Sequence, residues 1–326
     1  MEIKAANRRI VLLDAYTTNP GDLSWAPLDA CGDVTVFERT PPEEIVARAK
    51  DAEIVLTNKA RLTAEIIDQL PKLQLVCLMS TGTNAVDLRA CDARGIPVCN
   101  VPEYSTASVS ELVAAYLLHW SRNVDIHFRS VREGEWSRSL DFCYTHTPQR
   151  ELNGRVMGIV GFGAIGQAVA AMAQGLGMRA RVYTPNPENK PQLGQAHVDM
   201  DKLVETADVL SLHCPLTDET RQLVDEAFLA RMKPGAVLIN TGRGDLLDER
   251  AVAAALHAGQ LDCAYLDVLT SEPPPAEHPL LSAPNCHITP HLGWATLEAR
   301  QRLVDELVAN VGAFLSDAPR NVVNQA

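Results

Sequence analysis

The sequence predicts an α/β fold of two domains, each built on a parallel sheet. Three observations carry this. The chain has 326 residues, and at roughly 100–200 residues per domain that length suggests two domains. Short β-rich runs alternate with longer helical stretches along nearly the whole chain, which is the rhythm of strand–helix–strand units. In the second half a buried strand candidate, Val156–Val160, passes directly into a glycine-rich turn and a helix.

In the first hundred residues the strand candidates are Ile10–Leu13, Val34–Phe37, Ile54–Leu56, Leu75–Leu78 and Pro97–Cys99. Helical stretches such as Pro42–Lys50 and Thr63–Leu70 lie between them, and Val101-Pro102 breaks the pattern. A long helix candidate, Ser108–Arg122, follows; its wide apolar face suits bridging domains or packing on a second subunit. The segment Gly134–Arg150 is rich in aromatic and polar residues without a clear period and reads as an arm or extended loop. A second α/β run begins at Arg155, with strand candidates Val156–Val160, Arg181–Tyr183, Val209–Leu212, Val237–Asn240, Cys263–Asp267 and Cys286–Ile288. A last helix runs from about Thr296 to Leu315.

Composition removes several classes. Hydrophobic residues make up 46% and charged residues 21%, an ordinary globular balance. The formal charge of −12 argues against nucleic acid as a partner, but a local Arg still suits an anionic substrate. The eight cysteines are scattered, with no Cys-x-x-Cys pair, and read as reduced, buried thiols. With no His-Glu-x-x-His either, no metal site is expected. The N-terminal MEIKAANRRIVLL is too short and too charged for a signal peptide, and no apolar run reaches the roughly 18 residues that span a bilayer. The expectation is a soluble, cytoplasmic protein with no membrane partner.

After the strand Val156–Val160 the chain reads Gly161-Phe-Gly163-Ala164-Ile165-Gly166, and a helix, Gln167–Leu176, comes next. G-x-G-x-x-G is weak alone, but between a strand and a helix it is a dinucleotide-binding loop. Gly161 permits the turn, Gly163 lets backbone approach a pyrophosphate, and Gly166 lets the helix pack close to the strand. The helix N-terminus at Ala164, Ile165 and Gly166 then offers N–H groups and a positive dipole end to the phosphates. S-adenosylmethionine enzymes use related loops, so the cofactor class needs the rest of the site. The next strand should end in an acid that holds the adenosine ribose hydroxyls of NAD. Here it ends in Thr184-Pro-Asn186, with no carboxylate. Either Thr184 and Asn186 bond the ribose of NAD, or the missing charge admits the 2′-phosphate of NADP. No Arg accompanies Thr184, and Lys190 is the nearest cation, so the reading favours NAD.

In an open parallel sheet, ligands bind outside the carboxyl ends of the strands. The unusual polar residues of the second half fall there repeatedly: His213, Cys214 and Pro215; Thr241, Gly242 and Arg243; Asp267, with Glu272 five residues on; and His291, with Gly293 and Trp294. A lone Arg, His or Glu is more often structural or solvated, and His119, His127, His197, His257 and His278 are read so. Together, however, Arg243, Glu272 and His291 match what reduction of a 2-keto acid needs. A guanidinium holds a carboxylate by two parallel hydrogen bonds. An imidazolium protonates the carbonyl oxygen as hydride arrives, and a neighbouring carboxylate favours and orients that acid. Nicotinamide supplies the hydride, and Asp267 is assigned to its carboxamide.

The segments GIVGFGAIGQ, LHCPLT, MKPGAVLINTGRGDLLDE, LDVLTSEPP and TPHLGWAT together resemble the D-isomer-specific 2-hydroxy-acid dehydrogenases over essentially the whole chain. The resemblance implies a Rossmann dinucleotide-binding domain, residues 103–292, inserted into a flavodoxin-like substrate domain of residues 1–102 and 293–326. It implies Arg243, Glu272 and His291 as the catalytic set. It assigns the substrate to Thr81, Gly82, Thr83 and Asn84, whose backbone N–H groups meet its carboxylate, and to Arg243, His291 and Trp294. The cofactor falls to Gly161, Gly163, Ala164, Ile165, Gly166, Thr184, His213, Cys214, Pro215, Thr241, Gly242, Asp267 and Gly293. It also implies a homodimer formed largely through the cofactor domain and the long helix before it. Within the family NPGDLSW, EWSRSLDFCY and the Gly-Trp after His291 look most like the glycerate dehydrogenase, or hydroxypyruvate reductase, branch. The 35 residues after His291 are too few for the regulatory domain that phosphoglycerate dehydrogenases often carry, and Glu272 separates the chain from formate dehydrogenases. The competing readings are an NAD(H)-sensing scaffold, as in corepressors of this fold, and an enzyme of S-adenosyl ligands.

Overall fold

The computed structural model describes residues 8–190 and 196–325. The first seven residues of the N-terminal segment read above lie outside the described residues. The chain divides into two compact units. One comprises the residues up to Ser105 and those from Trp294 onward; the other is the continuous stretch Thr106–Gly293. Gly293 thus ends the second unit, and Trp294 resumes the first.

Among the described residues of the first unit, β1 (Arg9–Leu12), β2 (Asp33–Val36), β3 (Ile54–Thr57), β4 (Leu75–Leu78) and β5 (Val98–Cys99) form a parallel sheet in the order β2-β1-β3-β4-β5. This is the flavodoxin-like order, with its reversal between β1 and β3. Every residue of β3 and β4 is buried, as a sheet covered on both faces requires. Side-chain alternation divides them between two cores. Val11, Val55, Val76 and Leu78 face Ile45, Ile67 and Cys91, from α1 (Ile45–Ala49), α2 (Ala64–Asp68) and α3 (Leu88–Ala93). Ile10, Leu12, Ile54, Leu56 and Leu75 face Ala299, Leu303, Leu307 and Val311 of the C-terminal helix, Leu297–Leu315. Those four positions repeat every four residues, so one stripe of that helix returns to the first sheet. Buried Arg300 on the same helix clamps the Asp22 carboxylate through two nitrogens, at 2.6 and 2.7 Å.

The second unit opens with α4 (Thr106–Arg122), α5 (Val124–Arg132) and α6 (Glu135–Arg138). The apolar face of α4, expected to bridge domains or meet a second subunit, is used inside this unit. Val113, Tyr116, Leu117 and Trp120 pack with Met157, Ile159, Val169 and Val182. The expected arm of residues 134–150 contains one helical turn, α6, and otherwise runs without helix or strand. Six parallel strands follow: β6 (Val156–Val160), β7 (Arg179–Tyr183), β8 (Val209–Leu212), β9 (Ala236–Asn240), β10 (Leu261–Leu266) and β11 (Cys286–Ile288), in the order β11-β10-β9-β8-β6-β7. Beyond β7 a single parallel bridge joins Val182 to His197. Counting that bridge as a third strand, the order is 3-2-1-4-5-6 with one strand added, which is the Rossmann order. The helices α7 (Ala164–Gly175), α8 (Met200–Thr206), α9 (Glu226–Arg231), α10 (Glu249–His257) and α11 (Pro279–Ser282) connect the strands. Among the described residues no helix is long and apolar enough to cross a membrane.

Candidate active site

The glycine turn sits at the reversal of the second sheet, between β6 and β8. Gly161 has φ +96°, and a Cβ on it would lie 2.6 Å from the His213 backbone and 2.7 Å from the Cys214 nitrogen. Only glycine fits there. A Cβ on Gly166 would lie 2.2 Å from the Gly161 carbonyl oxygen, so α7 can press against the turn only without one. Gly163, by contrast, has open space where its Cβ would be. It is the N-cap of α7 and has no side chain to cap the first N–H groups of that helix. α7 begins at Ala164, three residues before the expected start, because the turn itself supplies its first helical residues.

The residues on the next strand ends line the same edge of this sheet. The His213 N–H donates to the Val160 carbonyl at 2.7 Å, and its Nε2 lies 2.8 Å from Ser211 Oγ. Burial pushes the His213 imidazole down to about 4, so it is neutral at physiological pH. Burial pushes the Cys214 thiol up to about 11, which keeps it uncharged. Thr241 Oγ1 is buried and has no hydrogen-bond partner among the described residues, a cost that a bound polar group relieves. Thr184 is buried at the end of β7. An open glycine cradle, a bare helix N-terminus and an orphaned hydroxyl on neighbouring strand ends fit a dinucleotide.

Arg243 is set by its own turn. Buried Asn240 donates from Nδ2 to the Arg243 carbonyl at 2.8 Å and accepts the Gly242 N–H at 3.0 Å. Arg243 then donates from Nη1 to the Gly242 carbonyl at 2.8 Å. Gly244 lets this turn touch the next loop, since a Cβ there would lie 2.0 Å from the Leu269 carbonyl carbon.

His291 Nδ1 lies 2.7 Å from Glu272 Oε2. A carboxylate only accepts, so Nδ1 carries the proton and Nε2 is left to exchange one. Glu272 Oε1 accepts the Leu269 N–H at 3.1 Å, which fixes the carboxylate plane. His291 has φ +51°, an uncommon backbone for a residue with a Cβ. What holds it is Asp267. Its carbonyl accepts the His291 N–H at 2.8 Å, and its buried carboxylate accepts the Thr289 hydroxyl at 2.6 Å, the Leu292 N–H at 2.9 Å and the Gly293 N–H at 2.8 Å. Burial pushes the Asp267 carboxyl above its ordinary carboxylate range, against the pull of these three bonds. Asp267, expected from the sequence at the nicotinamide, anchors the His291 loop. Tyr116 on α4 extends the chain through a hydroxyl contact with Thr289.

In the first unit, Thr81, Gly82, Thr83 and Asn84 follow the carboxyl end of β4. The Thr81 hydroxyl donates to the Val101 carbonyl at 2.8 Å, Asn100 Nδ2 donates to the Thr81 carbonyl at 2.7 Å, and Ser80 Oγ donates to the Gly82 carbonyl at 2.7 Å. The loop is therefore stapled to the segment after β5. Trp294 packs edge-on against Tyr104, with ring centroids 6.4 Å apart.

Sequence reasoning passed over Asn240, Thr289 and Tyr116. Asn240 carried a signal, being an amide at the end of an apolar strand. Thr289 and Tyr116 did not, because their link spans 173 residues.

The comparisons with known proteins agree with this geometry. Residues 114–293 match the model of the D-isomer specific 2-hydroxyacid dehydrogenase NAD binding domain. A hydroxypyruvate reductase of Blautia hydrogenotrophica is 42% identical over 324 residues, covering 97% of this chain and 100% of that one. A glycerate dehydrogenase of Methylorubrum extorquens is 40% identical over 284 residues, covering 86% of this chain and 88% of that one. Among solved structures, an acyclic imino acid reductase in complex with NADPH and D-Arg superposes with a TM-score of 0.85 at 30% identity, covering 97% of this chain and 99% of that one. The fold and site define a nicotinamide-dependent oxidoreductase with a Rossmann cofactor domain. The chain belongs to the D-isomer-specific 2-hydroxyacid dehydrogenases, which move hydride between NAD(P)H and 2-hydroxy or 2-keto acids.

Proposed function

We propose that the chain interconverts hydroxypyruvate and D-glycerate, with glyoxylate as a second substrate. The observation that carries this reading is the 2.7 Å His291–Glu272 pair on a left-handed backbone. Two relatives of at least 40% identity, named for these substrates, support it. Bound nicotinamide supplies the hydride. His291 gives its Nε2 proton to the carbonyl oxygen during reduction and takes it back during oxidation. Glu272 keeps the Nδ1 proton in place and stabilises the imidazolium. Arg243 grips the substrate carboxylate, backbone N–H groups of Thr81, Gly82, Thr83 and Asn84 share that task, and Trp294 is a further substrate-binding residue.

Gly161, Gly163, Ala164, Ile165 and Gly166 hold the pyrophosphate, Thr184 faces the adenosine ribose, and His213, Cys214, Pro215, Thr241, Gly242 and Gly293 complete the cofactor contacts, with Asp267 at the carboxamide. NAD is the preferred cofactor in this reading, because no Arg accompanies Thr184. A turnover screen of NADH and NADPH against hydroxypyruvate, glyoxylate, pyruvate and phosphohydroxypyruvate tests it. Hydroxypyruvate with NADH should give the highest kcat/KM. A higher value for phosphohydroxypyruvate or pyruvate refutes the substrate, and a higher value for NADPH refutes the cofactor.

The reading includes a homodimer. Large hydrophobic side chains exposed on the second unit gather in residues 118–142, and Leu140 and Phe142 are 102% and 88% exposed. Such a patch is costly to leave in water, and a second copy of the same surface covers it. Eight free cysteines, five of them buried, support a reducing, cytoplasmic location.

A further inference from the structure

The His291–Glu272 pair has a counterpart behind it. Glu249 is the first residue of α10, a position where a Glu ordinarily reaches into solvent. Here it turns inward. Its Oε1 accepts the Thr270 N–H at 2.8 Å, and its Oε2 lies 3.0 Å from His278 Nε2. The two side chains are only 13% and 8% exposed. His278 Nδ1 accepts the Leu280 N–H at 3.4 Å, so the imidazole proton sits on Nε2, towards Glu249.

Thr270 and His278 bracket the loop that carries Glu272. Residues 270–277 are mostly exposed, whereas Leu269 and His278 at its two ends are buried. The peptide entering Thr270 is gripped from two sides. Gly244, next to Arg243, approaches so closely that a Cβ on it would lie 2.1 Å from the Thr270 nitrogen, and Glu249 takes the hydrogen of that nitrogen. One residue earlier, the Leu269 N–H holds Glu272 Oε1. The turn of Arg243, the Glu249 carboxylate and the Glu272 loop therefore meet at one peptide.

We propose that Glu249 and His278 form a second carboxylate–imidazole pair that positions Glu272, and through it His291, by fixing both ends of the 270–278 loop. Glu249 touches neither substrate nor cofactor; it is a positioning residue. The proposal rests on the reading of Glu272 as the partner of His291. A partner that orients a catalytic ligand is worth about 10- to 100-fold in activity by analogy with outer-shell groups of metal sites.

The test is a double-mutant cycle between Glu249→Ala and Glu272→Gln, read as kcat with hydroxypyruvate, with NADH affinity measured by fluorescence titration. Glu249→Ala should lower kcat about 10- to 100-fold and leave NADH affinity within about twofold. In the Glu272→Gln background the same change should cost less than about twofold, because the residue it positions is already disabled. Glu249→Gln keeps an oxygen for the Thr270 N–H but turns its NH2 towards the His278 Nε2–H, so it should recover only part of kcat. An equal loss in both backgrounds, or no loss in the wild-type background, overturns the positioning role. Full kcat in Glu272→Gln alone instead overturns the triad reading beneath it. If Glu249→Ala does not fold, His278→Gln takes its place in the cycle, with the same outcomes.

Discussion

Replacing Asp267 by Asn exchanges one carboxylate oxygen for an NH2 group and tests how the His291 loop is held. The carboxylate accepts three hydrogen bonds, from the Thr289 hydroxyl and the Leu292 N–H at Oδ1 and from the Gly293 N–H at Oδ2. An amide keeps one acceptor oxygen. Placed at the Oδ1 site, it retains Thr289 and Leu292 and turns its NH2 towards the buried Gly293 N–H, donor against donor. The bond lost is one to a charged group, about 1.5–3 kcal/mol. Burial already disfavours the charge of Asp267, so the neutral amide recovers part of that, and the net loss should be about 1–2 kcal/mol. For a unit of this size that lowers Tm by roughly 2–8 °C. Turnover should suffer more. His291 lies two residues before the released Gly293 N–H and has φ +51°, so slackening Gly293 lets it relax. A displacement near 1 Å costs on the order of 100-fold in rate. Thermal unfolding and steady-state kinetics with saturating NADH measure both effects. A variant with wild-type kcat and Tm would refute the idea that Asp267 holds the loop.

Other perturbations have equally definite outcomes. Gly161→Ala forces a Cβ to within 2.6 Å of the His213 backbone at φ +96°; NADH binding by fluorescence should fall at least about tenfold, and unchanged affinity would remove the turn from the cofactor site. The folded His213 imidazole is held down at about 4, below its ordinary value. Its contribution to stability is therefore complete above about pH 6.5 and lost as pH falls towards 4, by at most about 3 kcal/mol. His287 is shifted in the same direction by burial and by neighbouring His119. Tm should drop through that window, and His213→Asn should flatten the drop; an unchanged slope would show that other groups carry it. The pair Leu140→Asp and Phe142→Asp places charge on the exposed patch and should shift a dimer to monomer in light scattering, whereas an unchanged mass would locate any interface elsewhere.

The fold was legible because parallel strands buried on both faces leave short, unbroken apolar runs such as LVCL at Leu75–Leu78 and VLSL at Val209–Leu212. The candidate site was legible where chemistry calls for a residue type at a strand end, as with Arg243 and His291. Local geometry without a residue signature was not. Nothing in a histidine announces φ +51°, and nothing in Glu249 announces a partner 29 residues away at His278, a residue read from sequence as structural or surface. The apolar face of α4 was visible, but not what it covers, because a stripe of Val113, Leu117 and Trp120 looks the same against its own sheet as against a second subunit. Thr184 shows the opposite case: a hydroxyl where an acid is expected was plain in the sequence, and it is buried at the end of β7.

The central claim is that His291 exchanges the proton while the rest of the site holds cofactor and substrate. It is tested most directly by comparing His291→Asn with the wild type under saturating NADH and hydroxypyruvate. His291→Asn should lose about 10²–10⁴-fold in kcat, the usual worth of a general acid, with NADH affinity unchanged. A variant that keeps kcat within a few-fold of the wild type would contradict it.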